Sequence, residues 1–256
     1  MFMSLDSLID LKSGMDKKEI ITVVGAGGKT SFIDSIAQIY RNKSKVLLTT
    51  TTKIFVPSEG SYENMILLDD IYEEELSNLD FETGITVCGK CINEDNKIAG
   101  IDFDDLKKLE DKFDLILIEG DGSKKKKLKG WNDNEPLVYE NTTKTIGILD
   151  ITSYKMKINE ENIHRLDKFI DQIGYKNNLY KRLNKDVDVS DLVKIVLNKK
   201  ALFKNSKGER VLFINKVENN GREAIAREIM KTIIEKDENI KLYFGSIKQN
   251  TCTLYK

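Results

Sequence analysis

A three-layer α/β sandwich, with a mostly parallel central sheet covered by helices on both faces, is the fold class this sequence predicts. Three observations carry that prediction. Apolar, β-branched runs alternate with stretches of helical period nearly throughout the chain, which is how successive βα units build a parallel sheet. The run Leu115-Ile116-Leu117-Ile118 is apolar at every position, as a strand buried on both faces must be. The first strand-like run ends in Gly25-Ala26-Gly27-Gly28-Lys29-Thr30, a glycine turn that opens a helix.

Residues 3–14 carry Leu5, Leu8, Ile9 and Leu11 at helical spacing and predict a short lead-in helix. A strand over 19–24 follows, then a helix over 29–41 that turns Phe32, Ile33, Ile36 and Ile39 inward. Residues 45–50 and 65–68 read as strands, the second followed by an acidic helix near 70–78. The segment 84–101 predicts a hairpin, with Ile85 to Val87 returning through Asn93-Glu94-Asp95-Asn96 to Lys97–Ile101. A helix over 102–111 precedes the buried strand at 115–118. A long stretch of weak periodicity, 120–144, comes next and holds the sole tryptophan, Trp131. Loops of that length commonly bind or cover substrate. The remainder predicts a strand at 145–149, helices near 160–173 and 188–199, a strand at 211–214, a helix over 221–235 and a strand at 240–244. With no internal repeat and no linker rich in Pro, Gly or Ser, residues 1–256 are expected to form a single domain.

Bulk composition excludes several classes of function. The chain has 256 residues, 40% apolar and 32% charged, with a net charge of −1. That composition suits a globular protein with an ample core and gives no global field for nucleic acid or an anionic membrane. No run of about 18 apolar residues suggests a transmembrane helix, and no basic-then-apolar leader marks a signal peptide. Three cysteines do not make a disulfide framework, so a cytoplasmic location is expected.

The glycine turn is the strongest chemical signal. Strand, glycines, Lys-Thr and helix, in that order, form a phosphate-binding P-loop. Glycines let backbone N–H groups approach a polyphosphate without Cβ clashes, and the helix N-terminus adds free donors and a favourable dipole. Gly25, Ala26, Gly27, Gly28 and Ser31 would line the phosphates, Lys29 would reach the β/γ oxygens, and Thr30 would ligate Mg²⁺. Val23 stands where the usual motif has its first glycine. With this motif the fold expectation narrows to a P-loop NTPase-like α/β domain. A glycine-rich turn with a chance lysine is the plain alternative.

Asp114 to Glu119, followed by Gly120-Asp121-Gly122-Ser123, is an apolar strand ending in acid, the Walker B pattern. Glu119 and Asp121 lie two apart and would share a face on an extended backbone. One would complete the metal shell, and the other would orient or deprotonate a nucleophile. Thr49-Thr50-Thr51-Thr52-Lys53 follows another strand; Thr51 is a further candidate metal ligand and Lys53 a candidate stabiliser of transferred charge. The same residues could simply extend a strand. Ser123, Lys124 and Lys129 belong to a lysine-rich stretch that reads either as a solvated face or as an anion funnel.

Asn215-Lys216-Val217-Glu218 resembles the base-reading Asn-Lys-x-Asp element of G-protein-like sites, with Glu in place of Asp, so Asn215, Lys216 and Glu218 are candidate nucleotide contacts. Either ATP or GTP fits this reading. His164-Arg165, placed early in a predicted helix, is a candidate phosphate or substrate contact. Cys88-Gly89-Lys90-Cys91 is half of a zinc site with no second half in the sequence.

Taken together, these stretches resemble the selenium-dependent hydroxylase accessory proteins of YqeC type. The likeness runs through Gly25–Thr30, Thr49–Lys53, Glu119-x-Asp121-Gly122-Ser123-Lys124, Leu128-Lys129 and Glu135-Pro136, and extends to His164-Arg165 and Asn215-Lys216-Val217. The family usually has Ala where this chain has Gly120, and a Lys-Ala-Pro segment where Gly130-Trp131 stands here. The resemblance implies a nucleoside triphosphate-binding protein acting in maturation of selenium-dependent molybdenum hydroxylases. Its partners would then be a molybdenum hydroxylase or that enzyme's cofactor-maturation proteins. Two rival functions stand beside it: a small-molecule kinase or ATP-dependent ligase whose Lys124–Lys129 bind an anionic acceptor, and a non-enzymatic selenium or metal carrier using Cys88 and Cys91.

Overall fold

The alternation of apolar faces along the strands resolves into a sheet with two covered sides. A computed structural model describes residues 3–9, 18–175 and 181–255. Its strands are β1 (Glu19–Gly25), β2 (Lys45–Thr50), β3 (Lys53–Phe55), β4 (Asn64–Leu67), β5 (Gly84–Gly89), β6 (Lys97–Ala99), β7 (Leu115–Glu119), β8 (Leu128–Lys129), β9 (Lys144–Asp150), β10 (Ile163–His164), β11 (Glu209–Asn215), β12 (Ile240–Ser246) and β13 (Thr251–Leu254). The helices are α1 (Lys29–Tyr40), α2 (Glu73–Asn78), α3 (Phe103–Leu109), α4 (Leu166–Gln172), α5 (Val189–Leu197) and α6 (Asn220–Ile234).

Nine strands form the main sheet in the order β13-β12-β11-β9-β1-β7-β2-β5-β4. Every pairing in it is parallel except β12 with β13 at one edge. Central position explains composition: all seven residues of β1 and all five of β7 are buried. Alternate side chains then sort to two faces. Ile21, Val23, Leu115 and Leu117 pack with Phe32, Ile33 and Ile36 of α1. On the other face, Ile20, Ile116 and Ile118 meet α3 through Leu106 and Leu109, while Val24, Leu149 and Leu212 meet α4, α5 and α6. Each such Ile, Leu or Val contributes about 1.5–3 kcal/mol of burial.

The parallel arrangement puts the carboxyl ends of β1, β2, β7, β9, β11 and β12 along one edge, where open α/β sheets bind ligands. All the strand-following motifs of the sequence lie there.

Several expectations change. Of the lead-in helix, the described residues show one 3₁₀ turn, Leu5–Leu8; residues 10–14 lie outside the described residues. The 84–101 segment does turn back at Asn93–Asn96. Its first strand, however, is a main-sheet strand between β2 and β4, and β6 pairs with β3. The helix expected from residue 160 begins at Leu166. Before it, Ile163–His164 pairs with Leu128–Lys129, and Arg165 takes a left-handed conformation, φ 54°, as the helix N-cap. Strands β3, β8, β10 and β13 are additional to those the sequence predicts.

Candidate active site

At the end of β1 the backbone itself demands glycine. Gly25, Gly27 and Gly28 have φ of 102°, 83° and 143°, which side-chain-bearing residues rarely adopt. Space excludes a side chain too: a Cβ would stand 2.4 Å from the Ile148 oxygen at Gly25, 2.3 Å from the Asp150 Cβ at Gly27 and 2.5 Å from the Asn215 amide nitrogen at Gly28. The loop is thus threaded between the ends of β9 and β11. Gly28 caps α1 without any side-chain hydrogen bond, whereas Asp188 and Asn219 cap α5 and α6 with theirs. The N-terminal donors of α1 are therefore not claimed by a capping side chain.

Glu119, ending β7 beside β1, is buried. The Thr30 hydroxyl donates to Glu119 Oε2 at 2.7 Å. Lys29 is buried and donates to the Gly25 carbonyl at 2.8 Å; its Nζ lies 3.4 Å from Asp121 and 3.7 Å from Glu119. The two acids predicted to share a face do converge on one lysine. Thr51 and Thr50 direct their hydroxyls to the Glu119 carbonyl, at 3.4 and 3.1 Å, so Thr51 borders the site through the backbone of Glu119. Lys53 opens β3 and is exposed.

Glu119 and Asp121 differ sharply in freedom. Asp121 is fully buried. It accepts from the Gly25 N–H at 3.0 Å, Lys129 at 3.0 Å and the Trp131 indole at 2.7 Å. Burial alone would raise its pKa, but Lys29 and Lys129, with the Lys129 and Gly25 hydrogen bonds, outweigh that and hold the carboxyl below the usual range. A low pKa and filled lone pairs suit a brace for the glycine turn, not a base that takes up a proton. Glu119 alone of the pair faces the Thr30 hydroxyl.

The lysine run also reads differently in three dimensions. Lys129 is fully buried and bonds Asp121, the Gly122 carbonyl at 2.7 Å and Glu135 at 3.0 Å. A solvated funnel cannot use a lysine neutralised by two carboxylates. Arg165 pairs with both Glu135 oxygens, so it closes this chain of charges from Gly25 outward. Lys126 donates to the Glu160 carbonyl. Ser123 is half-buried and Lys124 exposed in the same turn. Burial, then Arg165, Lys129 and Lys124, push His164 down to about 4, leaving it neutral near pH 7. None of this was legible as burial in the sequence; the signal available was that Lys129 follows an apolar Leu128 and precedes Gly130-Trp131.

Asn215 behaves as a tie. Its amide donates to the Gly27 carbonyl at 3.1 Å, and its oxygen accepts from Ile247 N–H at 3.1 Å and Lys216 N–H at 2.8 Å. Lys216 reaches Asp150 at 2.5 Å. Glu218 accepts from Ser246 at 2.9 Å. The loops after β11 and β12 are thereby fastened to the glycine turn.

The family model described as YqeC protein matches residues 21–167, from the first strand into α4. The chain belongs to the YqeC family. It is also 28% identical over 249 residues to "Uncharacterized protein YqeC" of Escherichia coli (strain K12), covering 95% of this chain and 93% of that relative. The YqeC match embraces the glycine turn, Glu119, Asp121, Lys129, Glu135 and Arg165.

A Mg²⁺ site is compatible with these residues: a hydroxyl and a carboxylate meet at hydrogen-bond distance beside a glycine cradle. Mg²⁺ commonly uses one or two carboxylates plus substrate phosphates and water. It does not need a cluster of three or more His, Cys, Asp or Glu, and none occurs among the described residues. The Cys88-x-x-Cys91 pair is poorly suited to cargo: Cys88 is buried, and burial, with Asp105, pushes its thiol up to about 12. Among the described residues no helix is long and apolar enough to cross a membrane.

Proposed function

We propose that this protein binds a Mg²⁺-nucleoside triphosphate with a P-loop NTPase-like fold and hydrolyses or transfers the terminal phosphate. The Thr30–Glu119 contact carries the proposal. It joins the residue after the phosphate-loop lysine to the acid ending the neighbouring strand, two partners that a metal–triphosphate site requires together. Gly25, Ala26, Gly27 and Gly28 present backbone to the phosphates, with Ser31 following on α1, and Lys29 leaves the Gly25 carbonyl for the β/γ oxygens. Thr30 and Glu119 hold Mg²⁺, with Thr51 at the rim; the ion, when bound, neutralises charge on the phosphate oxygens. Glu119 also orients the attacking group, and Lys53, exposed at the start of β3, is the cation assigned to the transferred charge. Asn215, Lys216 and Glu218 support the base side. Ser123, Lys124 and His164 border the loop after β7, and Asp121, Lys129 and Arg165 hold that loop against β1.

We extend this activity, on the resemblance drawn from the sequence motifs, to maturation of selenium-dependent molybdenum hydroxylases, with the hydroxylase or its maturation proteins as partners. The test of the chemistry is phosphate release from ATP and GTP with Mg²⁺, in the parent and in Glu119→Ala. Turnover that depends on Mg²⁺ and is lost in the variant is the expected result. Release that persists in Glu119→Ala contradicts it.

A further inference from the structure

A groove leads from Thr30 and Glu119 along the side of α1. We propose that it binds the second substrate: a neutral or cationic molecule the size of one ring, bearing an O–H or N–H donor. This inference rests on the triphosphate reading above. The groove encloses about 220 Å³. An apolar cavity of about 150 Å³ accommodates benzene, so the space beside Thr30, Ser31 and Glu119 is on the scale of a single substituted ring or a short chain.

Its walls set the chemistry. Ile33 of α1, Leu48 of β2, and Ile54, Phe55 and Pro57 supply apolar surface. Asp34, one helical turn beyond Thr30 on the same face of α1, supplies a carboxylate in addition to Glu119, which the metal ion would claim. No lysine or arginine lines the space. Thr49 already donates its hydroxyl hydrogen to the Cys88 carbonyl at 2.9 Å, so it can offer a ligand only acceptor lone pairs. With Asp34 the one carboxylate left to the ligand and no lysine or arginine in the lining, the wall favours a donor-bearing neutral or cationic ligand over an anionic one. This differs from an anionic acceptor held by Lys124–Lys129, whose last lysine is buried in ion pairs. Two cations flank the Phe55 ring: Lys125, from the loop after β7, at 4.2 Å and Lys97 of β6 at 5.2 Å.

Saturation-transfer NMR on the full chain with Mg²⁺ and a non-hydrolysable triphosphate tests this. The probes are benzyl alcohol, tyramine and para-hydroxybenzoate, which share a ring and differ in charge. Benzyl alcohol and tyramine should bind, and para-hydroxybenzoate should not. Ser58→Trp, at an exposed position lining the groove, should abolish both signals. Asp34→Asn, also at an exposed site, should weaken tyramine about two- to fivefold and leave benzyl alcohol unchanged. The proposal is overturned if no probe binds, if para-hydroxybenzoate binds as well as tyramine, or if both variants bind like the parent. Fluorescent ATP and GTP analogues are titrated into the same samples. Nucleotide bound without any probe overturns the groove assignment alone. If neither nucleotide binds, the triphosphate reading falls, and with it the groove's standing as a second-substrate site.

Discussion

Thr30 Oγ1 donates a 2.7 Å hydrogen bond to Glu119 Oε2, across 89 positions of sequence. One residue lies in the first turn of the helix after β1; the other ends β7, the neighbour of β1 in the sheet. Replacing Glu119 with Gln keeps the shape and removes the charge that a divalent ion requires. We expect Glu119→Gln to bind nucleotide in the absence of Mg²⁺ as the parent does, and to lose at least about tenfold of the Mg²⁺-dependent gain in affinity, about 1.4 kcal/mol. Calorimetric titration with and without Mg²⁺ checks this; an unchanged Mg²⁺ effect contradicts it.

Asp121 and Lys129 form a fully buried pair. Removing one partner of such a pair strands the other charge, at a cost of about 3–5 kcal/mol. Asp121→Asn and Lys129→Met are each expected to lose that much in urea unfolding. The double variant should lose clearly less than the sum, because the two share one interaction. Additive losses would show that the pair is not coupled.

Acid should weaken the protein earlier than its carboxylates alone predict. His164 has its pKa lowered from 6.5 to about 4 in the fold. As pH falls from 6.5 toward 4, the unfolded chain takes up a proton that the folded chain refuses, so stability declines through that window. Asp121 and Glu135, both depressed, add a further loss that sets in near their ordinary values of 3.8 and 4.5, where the unfolded chain protonates first, and is complete once pH has fallen through their folded values. His164→Gln should flatten the slope between pH 6.5 and 4, measured by denaturant midpoints. An identical slope in the variant removes His164 as its source.

The thiols offer a check on the carrier alternative. Cys88 and Cys252 are buried, with thiols raised to about 12 and about 11, while Cys91 is half-buried. A thiolate is the reactive form. In the native protein, Cys91 should label with a thiol reagent well before the other two, and all three should label after unfolding. Rapid native labelling of Cys88 would reopen a role for the pair.

Much of the sheet was legible because its signals are local. Buried parallel strands such as Leu115–Ile118 advertise themselves by unbroken apolar runs, and Gly25–Thr30 states its turn in residue type. Pairing was less legible. Ile85–Val87 and Lys97–Ala99 each look like one arm of a hairpin, yet their main partners are β2, β4 and β3, chosen by long-range packing. Four lysines at 124–127 precede Lys129, and the stretch reads as a solvated face or an anion funnel, both of which leave Lys129 open to solvent or substrate. Its burial depends on Asp121, Glu135 and Trp131 converging in space, which no window of sequence shows. His164-Arg165 has helical neighbours, but pairing with β8 claims His164 and delays the helix until Leu166.

The central claim is that the glycine turn, Thr30 and Glu119 together hold a metal–triphosphate. Isothermal titration of the full chain with ATP and GTP, each with and without Mg²⁺, tests it most directly. The account predicts saturable binding of at least one nucleotide, strengthened by Mg²⁺ and lost in Thr30→Val. Failure of both nucleotides to bind, or binding indifferent to Mg²⁺ and to Thr30, would contradict it.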